Sequence, residues 1–344
     1  MSMKIVRSQD HRQHVPAGEL YDGVMVRPFE CPERVDYINA ALDSVGFSDE
    51  VAVEPVEDAL LAQVHDADYL TFLRTAWSQW TDLGKTTDLV PWSFPGRRMD
   101  TQVPEHISGK VGWYSFAADT SITAGTWEAA RGAASLARTA QKAVTNGAAC
   151  AFALCRPPGH HAASDYFGGY CFINNAAVAA QGFRNDGAER VAVLDVDFHH
   201  GNGTQEIFYE RDDVFFASLH GDPLREFPYF AGHAGETGSG AGEGYNANYP
   251  LLPGTNFEVW LEALEHGIGQ ITSFNADALV VSLGVDTFEA DPISSFKLTS
   301  PNFATYGRRL GSLGLPTVYV MEGGYAVEEI GTNTANVLVG HCEA

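Results

Sequence analysis

The sequence predicts an α/β fold, a single doubly wound and mainly parallel sheet flanked by helices. Three observations predict it. Five short runs are apolar throughout rather than alternating, as strands covered on both faces require. Stretches with apolar residues at helical spacing lie between several of them. Each run is also followed at once by a cluster of polar residues, the arrangement found at the carboxyl edge of a parallel sheet.

The runs are Cys150–Leu154, Val191–Leu194, Val214–Leu219, Ala278–Leu283 and Pro316–Val320. Helices are expected over Thr126–Asn146, stopped by Gly147, and over 256–272 and 302–313. For the last of these Ser300 is the expected N-cap, with Pro301 just inside. No internal repeat or low-complexity linker divides the chain, so residues 1–344 are expected to form one domain.

Composition narrows the function classes. Hydrophobic residues make up 45% of the chain, ample for a large core, which excludes a disordered polypeptide. No apolar run approaches the roughly 20 residues of a membrane span, and the N-terminal stretch lacks a signal peptide's apolar core. A cytoplasmic protein without membrane contact is the expectation. The five cysteines, Cys31, Cys150, Cys155, Cys171 and Cys342, form no CxxC pair. They read as reduced thiols, with Cys150 and Cys155 in the core, and not as a disulfide framework or a Cys-ligated zinc site. The formal charge of −23 makes nucleic acid an unfavourable partner. Such acidity attracts a cationic ligand, or serves solubility alone.

The polar clusters carry the chemistry. Leu154 leads into RPPGHH (156–161), and Leu194 into Asp195-Val196-Asp197-Phe198-His199-His200-Gly201-Asn202-Gly203. The later runs lead into His220-Gly221-Asp222, Gly284-Val285-Asp286 and Met321-Glu322-Gly323-Gly324-Tyr325. In a parallel sheet all five meet in one crevice. Asp197 and His199 are two apart, so at a strand end both side chains can face one ion, and Asp286 supplies a third ligand. Two carboxylates and one imidazole leave zinc open positions for water and substrate, as a catalytic site requires. A lone DxH would read instead as a hydrogen-bonded polar cluster; the convergence of five segments favours the metal.

These segments resemble the zinc-dependent histone deacetylase family, which has the arginase–deacetylase fold. The matching stretches are Val64-His65 with Tyr69 and Phe72-Leu73, RPPGHHA (156–162), GGYCFINNAA (168–177), LDVDFHHGNGTQ (194–205), SLH (218–220), SLGVDTF (282–288) and EGGY (322–325). They span nearly the whole chain in order. Within the family the chain is most similar to the bacterial acetylpolyamine amidohydrolases. That likeness rests on Gly18-Glu19-Leu20-Tyr21, a Trp-rich insertion over about 77–113, His220-Gly221-Asp222-Pro223, and the stretch from Asp286 to Pro292.

The resemblance implies a homodimer in which the 77–113 insertion helps narrow the active-site entrance. It implies one Zn2+ per subunit, held by Asp197, His199 and Asp286, that polarises an acetamide carbonyl and acidifies water. His161 matches the general base and later acid; His160 matches a largely protonated partner. Asp195 and Asn202 match the residues orienting His160 and His161, and Tyr325 the oxyanion donor. An Asp raises imidazole basicity more than an Asn, so unequal partners fit unequal roles.

Tyr170 and Phe227 match aromatic walls of the acyl tunnel. A structural monovalent ion, typically K+, is implied at the carbonyls of Asp195, Asp197, His199 and Leu219, with the Asp195 carboxylate and Ser218 hydroxyl. Glu19 and Asp119 match acidic positions at the tunnel mouth that attract a protonated amine, although either could equally be a solvated surface charge. Asp119 is shorter than the Glu of the family pattern, and Ser108 stands at a second acidic position. Fewer and shorter acids weigh against a strict preference for long polyamines.

Three alternatives differ in class. A binuclear arginase-type enzyme needs acids where Gly201 and Phe288 stand. An acetyl-lysine protein deacetylase shares the acetamide chemistry and differs only at the mouth. A catalytically silent binding module predicts loss of Tyr325 or His161, and both are present.

Overall fold

The computed structural model describes residues 3–99 and 102–344; Met1, Ser2, Asp100 and Thr101 lie outside the described residues, the last two within the 77–113 segment. Nine strands are present among those residues: β1 (Lys4–Val6), β2 (Glu19–Tyr21), β3 (Val24–Val26), β4 (Cys150–Ala153), β5 (Val191–Asp195), β6 (Val214–Gly221), β7 (Asn246–Leu251), β8 (Ala278–Leu283) and β9 (Thr317–Met321). Seven form one sheet in the order β1-β4-β9-β8-β5-β6-β7, with every neighbouring pair parallel. β2 and β3 make a separate antiparallel hairpin.

Every residue of β4, β5, β6, β8 and β9 is buried. Side-chain alternation explains why these strands lack a polar face. Val191 and Val193 enter one core, shared with helices Thr126–Thr145 and Asn175–Asn185. Ala192 and Leu194 enter the other, shared with helices Phe257–Phe274, Ser300–Gly311 and Ile330–Cys342. Each fully buried Val or Leu contributes roughly 1.5–3 kcal/mol, so the doubly covered sheet is the stable frame. Cys150 and Cys155 are core residues, as expected.

The structure adds two sheet strands that the sequence reading lacks. β1 has only three residues, and β7 contains Asn246, Asn248 and Pro250, an unpromising strand composition. Both lie at sheet edges, where a proline is tolerated. Helix Ser300–Gly311 starts one residue earlier than expected: Thr299 is the cap, and the Asn302 side chain accepts its backbone N–H at 2.7 Å. Among the described residues no helix is long and apolar enough to cross a membrane.

Beneath the carboxyl edge lies a buried ionic tie. Arg34 donates to the carbonyl oxygens of Gly324 (2.7 Å) and Glu322 (2.5 Å) and to the Glu30 carboxylate (2.9 Å). Arg156 donates to the same Glu30 oxygen at 2.7 Å and to the carbonyls of His11 and His14. Both arginines and Glu30 are almost fully buried. Their charges therefore depend on one another for solvation. Arg34→Ala is expected to lower unfolding free energy by about 3 kcal/mol, because Glu30 and two carbonyls lose a buried donor. Urea unfolding followed by circular dichroism measures it.

Candidate active site

Three of the five polar clusters, those carrying His161, His199 and Tyr325, line one cavity at the carboxyl ends of the strands. Asp286 of a fourth lies beside His199, whereas the His220 cluster does not line the cavity, its imidazole being bound to Ser218 and Gly232. The cavity's volume is about 330 Å³. His161, His199 and Tyr325 line it together with Tyr170, Phe227 and Asp119.

Strands β5 and β8 are neighbours in register, Asp195 opposite Ser282, so the turns that follow them meet. This brings Asp197, His199 and Asp286 together with their ligand atoms within 4.8 Å of one another. His199 Nδ1 is 3.0 Å from Asp286 and 3.4 Å from Asp197. The remaining oxygens are held by main chain: Asp197 Oδ2 accepts the Gly323 N–H at 2.8 Å, and Asp286 Oδ1 accepts that of Phe198 at 2.8 Å. Gly323 is required there, since a Cβ would lie 2.5 Å from Asp197 Oδ2 and 2.6 Å from Asp286 Oδ2. Burial and the neighbouring charge of Asp197 raise the Asp286 carboxyl to about 8. Two buried carboxylates converging on an imidazole fit a divalent cation, which would neutralise their repulsion.

The histidine pair is differentiated by its partners. His160 Nδ1 lies 3.0 Å from Asp195 Oδ2, while His161 Nδ1 lies 2.7 Å from Asn202 Oδ1. Burial opposes charge on His160, but Asp197 and Asp195 outweigh it and raise its pKa to about 10. For His161, burial and the charges of His160 and His199 act together and push the pKa well down. Asn202 Nδ2 donates to the His161 carbonyl at 3.3 Å, which turns its amide oxygen towards the ring. His161 therefore carries its proton on Nδ1 and leaves Nε2 as an acceptor.

Tyr325 is buried, with its backbone N–H bound to Asp291 Oδ2 at 2.7 Å and the Arg34 guanidinium 5.0 Å from its ring. Burial raises its pKa well above 10, so its hydroxyl stays a donor. Its ring meets Tyr170 edge-on at 5.7 Å. Opposite, Phe227 packs against His161 at 5.1 Å. Tyr170 has a left-handed backbone (φ 67°) at the end of a Gly168-Gly169 turn. A Cβ on Gly169 would come within 2.4 Å of the His161 ring, so this wall approaches the base only as glycine.

The two acids expected at the mouth are placed differently. Asp119 lines the cavity and accepts from Thr120 Oγ1 at 2.6 Å and from the Gly169 N–H at 3.3 Å. Glu19 lies behind the wall, 3% exposed, and accepts from the Tyr170 hydroxyl at 3.1 Å and the Phe29 N–H at 3.2 Å. Ser108 is in helix Ile107–Trp113. No described residue of 77–113 lines the cavity; Ala117, Ala118 and Asp119, just beyond it, do. Ser218 sits opposite Asp195 in the β5–β6 register, and Leu219 follows, both fully buried.

Sequence reasoning missed the outer rim: Tyr21, Asp22, Glu226, Tyr229 and Ile293. A signal for the first two existed. Asp22-Gly23 has positive φ at both residues and joins β2 to β3, the usual Asp-Gly hairpin turn. Glu226 and Tyr229 follow β6 in irregular chain with no local pattern.

Comparison with known proteins agrees with this geometry. A profile of the histone deacetylase domain matches residues 28–340. The chain belongs to the histone deacetylase family. It is 54% identical over 340 residues to the acetylpolyamine amidohydrolase of Mycoplana ramosa, covering 98% of this chain and 99% of that one. Acetylpolyamine amidohydrolase 1 of Pseudomonas aeruginosa is 52% identical over 341 residues, with the same coverage. The crystal structure of the acetylpolyamine aminohydrolase from Burkholderia pseudomallei superposes with a TM-score of 0.93 at 38% identity, over 99% of this chain and 98% of that one. The expected arginase–deacetylase fold is thus the observed one, and the protein is an amidohydrolase of this family.

Burial raises the Glu19 carboxyl from 4.5 to about 7 despite its hydrogen bond from Tyr170. The folded state therefore keeps this proton longer than the unfolded chain, and stability falls as pH rises from about 4.5 through 7. Glu19→Gln removes that term. Its stability relative to wild type is expected to be greater at pH 8 than at pH 5, in paired denaturant titrations.

Proposed function

We propose that the protein hydrolyses the acetamide of small acetylated polyamines, such as acetylputrescine, acetylcadaverine and acetylspermidine, to acetate and free amine. One observation carries this reading: the cavity lined by His161 and His199 also presents three carboxylates, Asp22, Asp119 and Glu226, and no Lys or Arg. An alkyl chain ending in ammonium suits such a rim, since attraction strengthens where solvent is partly excluded. Asp119 and Glu226 therefore join Tyr170 and Phe227 as substrate-binding candidates, and Glu19 acts through the Tyr170 hydroxyl.

Zinc bound by Asp197, His199 and Asp286 would supply Lewis-acid polarisation of the acetamide carbonyl and acidification of water. His161 Nε2 takes the proton of the attacking water and returns it to the leaving nitrogen. His160, held charged by Asp197 and Asp195, stabilises the negative charge that develops beside it. The Tyr325 hydroxyl donates to the oxyanion as the carbonyl carbon becomes tetrahedral. Tyr170 and Phe227 flank the alkyl chain and keep water from the reacting centre.

Two further features belong to this proposal. Asp195, Asp197, His199, Ser218 and Leu219 form a structural K+ site below the catalytic pair. The protein is a homodimer, supported by the exposed side chains of Trp92, Phe94, Met99 and Val103 in the 77–113 segment.

Zinc-loaded protein is expected to turn over N-acetylputrescine and N-acetylcadaverine with kcat/KM at least about tenfold above that for an acetyl-lysine peptide. Glu226→Gln should raise KM for the acetylated diamines about three- to tenfold with little change in kcat. A peptide preferred over every free polyamine would sink the substrate class and leave the amide chemistry standing. Tyr325→Phe should lose about a hundredfold in kcat while retaining one zinc per chain by elemental analysis.

A further inference from the structure

The reaction needs two groups on opposite sides of the acetamide: the His160–His161 pair and the Tyr325 hydroxyl. They come from different strand ends, β4 and β9. One side chain spans them. Glu322 is completely buried, and its Oε2 accepts the backbone N–H of Gly159 at 2.6 Å and that of His160 at 3.2 Å. Its other oxygen, Oε1, has no hydrogen-bond partner. A carboxylate oxygen of Glu322 lies within 4.8 Å of both a His160 ring nitrogen and the Cys171 sulfur.

The chain around Glu322 is fixed at several points. Its backbone N–H is bound to the Leu283 carbonyl at 3.0 Å, and Arg34 grips the carbonyls of Glu322 and Gly324. Gly323 donates to Asp197, and Tyr325 donates to Asp291. Residues 322–325 are thus a rigid strip carrying Tyr325 at one end. The histidine loop follows a proline pair, and Pro157 and Pro158 have no N–H to offer a neighbour. Gly159 and His160 are the first residues of that loop able to donate, and both donate to Glu322.

We propose that Glu322 is a positioning residue that locks the His160–His161 loop to the strip bearing Tyr325, setting the distance between base and oxyanion donor. The inference rests on the amidohydrolase reading given above. Glu322 does not touch the substrate cavity, so its effect reaches the reaction only through the placement of these groups. Misplacement by about 1 Å costs on the order of a hundredfold in rate.

Three variants of the zinc-loaded protein test this. Gln keeps an acceptor oxygen at the same reach, Asp falls one methylene short, and Ala removes the acceptor. Glu322→Ala and Glu322→Asp are expected to lose at least about tenfold in kcat, with KM within about threefold of wild type. Glu322→Gln should stay within about threefold in kcat. The downfield proton NMR signal of the His160 Nδ1–H facing Asp195 gives a readout independent of turnover. It should move in the Ala and Asp variants and stay in the Gln variant.

Unchanged kcat in Glu322→Asp would overturn the inference. So would a Gln variant as impaired as Asp, since charge would then be what acts. If Glu322→Ala fails to fold, the Gln and Asp pair still decides. A wild-type protein inactive on every acetamide would instead sink the parent reading, while the NMR comparison would still report on positioning.

Discussion

Two carboxylates buried around one imidazole repel each other unless a cation lies between them, and the rest of this structure serves that arrangement. Asp197 and Asp286 reach it from adjacent parallel strands whose register is set by fully buried Val and Leu on both faces. Main-chain N–H groups of Gly323 and Phe198 hold the outer oxygens. The remaining lone pairs are left facing inward. The hydrophobic frame thus supplies the rigidity with which a costly electrostatic cluster is held.

The same low-dielectric surroundings divide labour between two neighbouring histidines whose rings lie 4.0 Å apart. A carboxylate partner keeps His160 charged, and that charge, with burial, keeps His161 neutral. Each state depends on the other. A base and a fixed positive charge are obtained from one dipeptide because the fold gives its members different partners.

Much of this was legible in the sequence, for identifiable reasons. The five central strands are apolar throughout because both faces are covered, and the polar clusters after them stand out against that background. The edge strands were not legible, being either three residues long or interrupted by Asn and Pro. Motif positions His65 and Tyr69 turn out to brace the site from outside: His65 is bound to Ala163 and Asn174, and Tyr69 donates to Phe172. Glu19 matched an expected rim acid, yet its burial depends on Tyr170, a partner 151 positions away. Glu226 and Tyr229 gave no signal, since a rim exists only once distant loops are assembled.

The rim and the chemical centre are also built from different kinds of chain. The metal-binding and proton-transfer groups sit in the turns that leave buried strands, where a shift disturbs the sheet itself. The rim comes from the Asp-Gly hairpin, the 117–119 segment and the stretch after β6, all outside the seven-stranded sheet. Descendants of this protein can therefore exchange one acylated amine for another by drift in a handful of surface loops. For directed evolution, a library confined to residues 20–22, 117–119, 226–229 and 293 would search new specificities while the machinery for breaking the amide is inherited intact.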